Sequence, residues 1–181
     1  HLGYKSRSWL GWQIPILTTG NYSASRIKSI YKKNIIKYLK SGGTPIVAGF
    51  QGINSQSRIT TIGRGGTDAS AIMLARFFKA EKCIIYTDVD GVYTTDPNSI
   101  KKAKKIKVIS YDEMLEMASL GSKVMQPHSI QDARLNSIDI NVKSSFKKLS
   151  GTLITKRKNI LSDKIIRGVS FTRNDAKVTL I

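Results

Sequence analysis

Short apolar runs, too brief for helices and bounded by turn residues, limit most sharply what this chain can fold into. "TPIVAGF" (44–50) and "CIIYTDV" (83–89) are continuous and rich in β-branched and aromatic residues, as strands buried on both faces are. Between them, "ASAIMLARFFKA" sets Ala71, Leu74, Ala75 and Phe78 at i, i+3, i+4, i+7, the spacing of a helix. "NYSASRIKSIYKKNIIKYLKSGG" predicts another helix, capped near Ser23 and stopped by Gly42-Gly43, with Ile27, Tyr31, Ile35 and Tyr38 on one stripe. Ser110 and Glu113 have capping-box spacing ahead of "MLEMASLG" and start a third helix. "PHSIQDARLNS" predicts a short fourth, and "IDINVKSS" alternates like a strand. Helices alternating with buried strands predict an α/β class, a three-layer α/β/α arrangement with a mostly parallel sheet. Near residue 150 the pattern breaks into the polar connector "SGTLITKRKNILSD", and Ala176, Val178 and Leu180 then open a fresh strand pattern.

Composition narrows the function classes. No apolar run reaches the roughly 18 residues that a membrane span needs, and "HLGYKSRSWLGW" lacks the apolar core of a signal peptide. The expected location is therefore cytoplasmic, with no membrane partner. The single cysteine, Cys83, excludes an intrachain disulfide and reads as a core residue. The net charge of +18 invites a nucleic-acid reading. The basic residues, however, are scattered through "KSIYKKNIIKYLK", "KKAKKIK", "FKK" and "KRK", without interleaved aromatics for base stacking. Solvated lysine faces account for them, and no specific nucleic-acid partner is expected.

The chemistry concentrates in glycine loops and in one acidic turn. In "GFQGINSQSRITTIGRGGTD", glycines 49, 52, 63, 65 and 66 fall in two loops, the second running straight into a helix. Such glycines let backbone N–H groups approach an anion, and a helix start adds unpaired donors. Thr67 or Asp68 can cap that helix, and a plain glycine turn with an Asp cap fits the same residues. The loop is neither a Gly-x4-Gly-Lys-Ser/Thr phosphate loop nor a G-x-G-x-x-G fingerprint, since Asp68 stands where the third glycine belongs. "YTDVDGVYTTDP" follows the strand "CIIY" and gathers Thr87, Asp88, Asp90, Tyr93 and Asp96 at a strand's carboxyl end, where α/β sheets bind ligands. Asp88 and Asp90 read as turn formers, and no metal ligands are assigned.

"GFQG…TTIGRGGTD", "YTDVDGVYTTDP", "ISYDEMLEMASLGSKVMQP" and "VKSSFKKLSGTLI" stand in the order found in the aspartokinase family of the amino acid kinase superfamily, which the chain resembles from about Gly3 to its end. The resemblance implies the carbamate-kinase-like fold, with a catalytic domain over 1–150, a linker over 151–163 and the first strand of an ACT regulatory domain over 164–181. It implies transfer of the γ-phosphoryl of ATP to the β-carboxylate of L-aspartate, with Mg²⁺, giving the 4-phospho-L-aspartate that feeds lysine, threonine, methionine and diaminopimelate synthesis. Arg64 and Thr67 would bind substrate, and Asp68 and Lys123 would be catalytic. Gly49, Thr87, Asp88, Tyr93, Lys123 and Val124 would bind nucleotide. A homodimer is the assembly such a family member would form, often through ACT domains.

Departures from the family pattern set further expectations. The family's opening Lys-Phe-Gly-Gly-Thr-Ser and its amino-group-binding acid have no counterpart in these residues. Asn98 stands in place of an arginine, and Trp9 in place of a threonine. The chain reads as truncated at both ends and, alone, as an impaired kinase. Other readings of the same residues are a different acceptor, as in glutamate 5-kinase or acetylglutamate kinase, a noncatalytic nucleotide-binding partner subunit, or a basic RNA-binding module.

Overall fold

A computed structural model describes residues 3–122, 124–156 and 168–170. It divides into two compact units that meet in sequence at Cys83 and Ile84. The strand expected at 176–180 lies outside the described residues, as does most of the connector.

The first unit holds β1 (Ser6–Trp9), β2 (Ile16–Thr18), β3 (Ile27–Ile30), α1 (Lys33–Lys40), β4 (Thr44–Val47), β5 (Gln51–Ile53), β6 (Ile59–Thr61) and α2 (Gly66–Phe78). β1 and β4 form a parallel pair, and the other four strands form a sheet ordered β3-β2-β5-β6. In that sheet β2 and β5 are parallel, whereas β2·β3 and β5·β6 are antiparallel. Ile14, Ile16, Ile30 and Ile35 make the core cluster, with Trp9, Leu74, Phe77 and Phe78 packed against it.

Three expectations change here. Residues 27–30 are a strand, not the start of a helix. Ile30 pairs with Ile16 across the sheet and buries its side chain, while α1 begins only at Lys33 with no side-chain cap. The β-branched Ile27 and Ile30 gain more from that non-local pairing than from a lysine-rich helical turn. β4 is not buried on both faces, since Ile46 stays 54% exposed. α2 buries Ala69, Ile72 and Met73 besides Ala75, so its apolar surface is wider than the expected stripe. The stop at Gly42-Gly43 holds: Gly42 has φ +76°, and Tyr38 lies so close over Gly43 that a Cβ there would reach 2.5 Å from its ring.

The second unit takes up β7 (Cys83–Thr87) from Ile84 onward and adds β8 (Val108–Ser110), α3 (Tyr111–Ser119), α4 (Pro127–Asn136), β9 (Ile140–Ser144) and β10 (Thr152–Thr155). The sheet order is β7-β9-β10-β8, with β10 parallel to β8 and antiparallel to β9. The four-stranded sheet of each unit thus mixes parallel and antiparallel pairs, and is not mostly parallel. Along β7 burial alternates, with Ile85 inside and Tyr86 63% exposed, so this strand too hides one face only. The capping box forms as its spacing predicts: Glu113 N–H donates to Ser110 Oγ at 3.2 Å, and Ser110 N–H donates to Glu113 Oε2 at 2.8 Å. Residues 152–155, expected in the connector, instead form the buried strand between β9 and β8. Tyr111 anchors α3 to the loop before β9 by donating to Ile138 O at 2.7 Å. Burial, with Asp139 beside it, pushes that phenol up.

Two glycines with nearly equal φ separate strain from crowding. At Gly151 (φ +75°) a Cβ would meet Val142 O at 2.0 Å, whereas at Gly42 (φ +76°) it would meet nothing within 4 Å. Gly42→Ala is expected to cost about 1 kcal/mol and Gly151→Ala about 3 kcal/mol or more, read by urea denaturation. Buried Cys83 supplies a second test. Burial, and then the nearby Asp68 charge, push its thiol from 9.0 up to about 11. The native thiol keeps its proton where the unfolded thiol has lost it. Its contribution is therefore whole below pH 9 and is lost as pH rises toward 11. The Cys83→Ser variant should show a smaller loss of stability across that window, and native Cys83 should resist alkylation until the chain unfolds.

Candidate functional site

In the first unit the two glycine loops lie against each other at the start of α2. Gly63 (φ +86°) and Gly65 (φ +70°) flank the exposed Arg64, and Gly65 occupies the N-cap position. Thr67 and Asp68 therefore lie inside the first helical turn and do not cap it, contrary to expectation. A left-handed N-cap suits a glycine. Asp68 still complements the positive end of the helix dipole.

Ser70 ties the loop at 48–50 to the helix start. Its hydroxyl donates to Gly66 O at 2.7 Å and accepts from Phe50 N–H at 3.0 Å. Phe50 holds φ +67°, a costly conformation for a bulky residue, and its carbonyl accepts from Ile62 N–H at 3.0 Å. A Cβ on Gly49 would come within 3.2 Å of Thr67 Cγ2, so glycine there lets the 48–50 loop approach the helix start. Gly49, Arg64, Thr67 and Asp68 are thus one group. The guanidinium of Arg64 is open to solvent and able to take a carboxylate in bidentate fashion.

In the second unit a cleft of about 860 Å³ lies beyond the ends of β7 and β9. Thr87, Asp88, Tyr93 and Val124 all line it, together with Phe146 and Lys147. Lys123 lies outside the described residues. Thr87 Oγ1 donates to Asp88 Oδ1 at 2.9 Å. Asp96 forms a turn by accepting from Asn98 N–H at 2.9 Å and Ser99 Oγ–H at 2.7 Å. Asn98 itself faces the cleft. Val169 reaches the same place, its N–H donating to Thr94 O at 2.7 Å. The size suits a nucleotide-sized ligand.

Charge around the cleft is organised by Asp90. Its Oδ1 accepts from the Tyr93 hydroxyl at 2.8 Å, and its Oδ2 lies 3.6 Å from Lys105 Nζ. Burial pushes the Asp90 carboxyl up, but the Tyr93 hydrogen bond and the charges of Lys105 and Lys147 outweigh it and hold the group below its usual range. The same bond raises the phenol of Tyr93. The sequence did not mark Ser70, Lys105, Phe146 or Lys147. For Phe146 and Lys147 a signal existed, because "SSFKK" follows the carboxyl end of a predicted strand.

The amino acid kinase family profile matches residues 3–144. The chain is 44% identical to the aspartokinase of Bacillus sp. (strain MGA3) over 98% of its own length and 43% of that protein. To the aspartokinase of Geobacillus stearothermophilus it is 44% identical over 99% of its length and 44% of that protein. Among solved structures, E. coli aspartokinase III in complex with aspartate and ADP (R-state) superposes with a TM-score of 0.76 at 31% identity, covering 84% of this chain and 35% of that one. Aspartate kinase from Synechocystis gives 0.70 at 36% identity, covering 86% and 25%. The chain therefore spans under half the length of the curated relatives it matches. Its strands and helices form an α/β amino-acid-kinase-like fold with mixed sheets. By profile, sequence and fold together, the chain belongs to the amino acid kinase family, and the relatives it resembles are aspartokinases.

Proposed function

We propose that this chain carries the nucleotide-holding and carboxylate-holding parts of an aspartate kinase, which moves the γ-phosphoryl of ATP to the β-carboxylate of L-aspartate and yields 4-phospho-L-aspartate. The product would enter lysine, threonine, methionine and diaminopimelate synthesis in the cytoplasm. One observation carries the reading: Thr87, Asp88 and Tyr93 from one segment and Val124 from a distant one share a single cleft of nucleotide size. The aspartokinase relatives, one of them solved with aspartate and ADP, support the choice of acceptor.

The chemistry asks little beyond positioning and charge. A carboxylate is ionised at neutral pH, so no general base is needed, and the barrier lies in bringing two anions together. Arg64, exposed between two left-handed glycines, would clamp a substrate carboxylate, and Thr67 in the same turn would add a hydroxyl. The positive end of the α2 dipole would face negative charge. Thr87, Asp88 and Tyr93 would hold the nucleotide, with Val124 as an apolar wall. Asp68 and Lys123 are proposed as the catalytic pair, the first organising cationic groups and the second offsetting charge on the transferring phosphoryl.

Among the described residues no cluster of three His, Cys, Asp or Glu could cage a metal. That donor set fits a Mg²⁺ carried on the nucleotide's own phosphates with most of its waters, where it supplies charge neutralisation. The catalytic domain, read from the sequence as 1–150, is proposed to continue through β10, and residues 164–181 are proposed as the start of an ACT domain able to support a homodimer.

Arg64→Ala should lower kcat/KM for aspartate on the order of 10²-fold while leaving the KM for ATP nearly unchanged. Asp88→Ala should do the reverse. An ADP-release assay with each substrate varied reads both. Equal losses for both substrates in both variants would defeat this division of labour. Nucleotide binding without ADP release on addition of aspartate would mark a noncatalytic subunit instead.

A further inference from the structure

Asp90 is held more firmly than a turn-forming aspartate requires. Gly91 has φ +145°, and a Cβ there would sit 2.6 Å from Thr152 Oγ1. Val92 N–H donates to that hydroxyl at 2.8 Å, so the turn is pinned to β10. Tyr93 pairs with Lys105 in an antiparallel bridge, which brings the Lys105 ammonium to Oδ2 while the Tyr93 hydroxyl takes Oδ1. Both oxygens of the carboxylate are thus engaged.

This arrangement fixes a direction. An ionised carboxylate has no hydrogen to give, so the hydrogen in the 2.8 Å contact belongs to Tyr93. A phenol carries one hydrogen. Once that is committed to Asp90, the oxygen that Tyr93 offers to the cleft has only lone pairs. Such an atom repels phosphate oxygens and attracts a hydroxyl or amine.

We infer that Asp90 is a positioning residue that turns Tyr93 into an obligate acceptor, so that Tyr93 receives a hydrogen bond from the nucleoside part of a bound nucleotide rather than donating one to its phosphates. The inference rests on the nucleotide reading of the cleft and deepens it. The donor in the ligand is a sugar hydroxyl or an exocyclic amine of the base, and the test separates the two.

Isothermal titration of the protein with ATP, 2′-deoxy-ATP, 3′-deoxy-ATP, purine riboside triphosphate and inorganic tripolyphosphate reads it. Tyr93→Phe should weaken ATP binding about 3- to 10-fold, the effect of one lost hydrogen bond. It should leave unchanged both tripolyphosphate and whichever analogue lacks the donor, which thereby identifies that donor. Asp90→Ala should lose the same discrimination, whereas Asp90→Asn, which keeps an acceptor oxygen for the phenol, should retain most of it. A merely structural role would weaken every ligand alike. Equal weakening across all five ligands, no effect of Tyr93→Phe, or full discrimination in Asp90→Ala each overturns the inference while the cleft remains a nucleotide site. Absence of ATP binding by the unaltered protein removes the nucleotide reading itself.

Discussion

The hydroxyl of Thr152 is the contact on which the second unit's cleft depends. Fully buried in β10, it donates to Ile106 O at 2.6 Å and accepts from Val92 N–H at 2.8 Å. One atom thus ties Val92 and Ile106, which bracket the excursion between β7 and β8, to β10. Without it the buried Val92 N–H would lose its partner, at a cost of about 1–3 kcal/mol, and the half-buried Ile106 O would lose one as well. The close approach also explains Gly91, since any larger residue would push against that hydroxyl. Tyr93, Thr95 and Asn98 reach the cleft because this loop is tied at its base.

The first unit solves a related problem with backbone alone. A helix start exposes unpaired N–H groups, and a side-chain cap would normally cover one of them. Here the cap position is a left-handed glycine, and Gly66 N–H turns back to Gly63 O at 2.9 Å. Ser70 and the strained Phe50 then keep the neighbouring loop from moving away. Strain of this kind persists where surrounding contacts over-determine it, and such places are often functional. Arg64 stands exposed between Gly63 and Gly65, free of the packing that would hold it to the protein.

Part of the large positive charge is used within the fold. Several lysines are used locally: Lys105 pairs with Asp90, Lys147 bears on the same carboxylate, and Lys5 and Arg7 lie over the Tyr38 ring. Trp9 joins that aromatic group edge-on to Tyr38 at 6.0 Å and packs on the isoleucine cluster. The tryptophan is therefore part of the first unit's core.

What the residues alone determined was local. The capping box at Ser110 and Glu113, the proline-led α4, the alternation of β9 and the glycines flanking Arg64 follow from spacings of a few residues, because each depends on dihedral limits and neighbouring hydrogen bonds. The motif likeness likewise located Thr87, Asp88, Tyr93 and Val124 before their shared cleft was visible. What only the tertiary structure decided was pairing. Ile27–Ile30 became a strand because β2 offered it partners, and Thr152–Thr155 became the strand between β8 and β9 because both neighbours needed one. Lys105 likewise reaches the Asp90 carboxylate only because the loop folds back on itself at the Tyr93–Lys105 bridge. Such contacts join residues far apart along the chain, and no periodicity or spacing within a single segment encodes them.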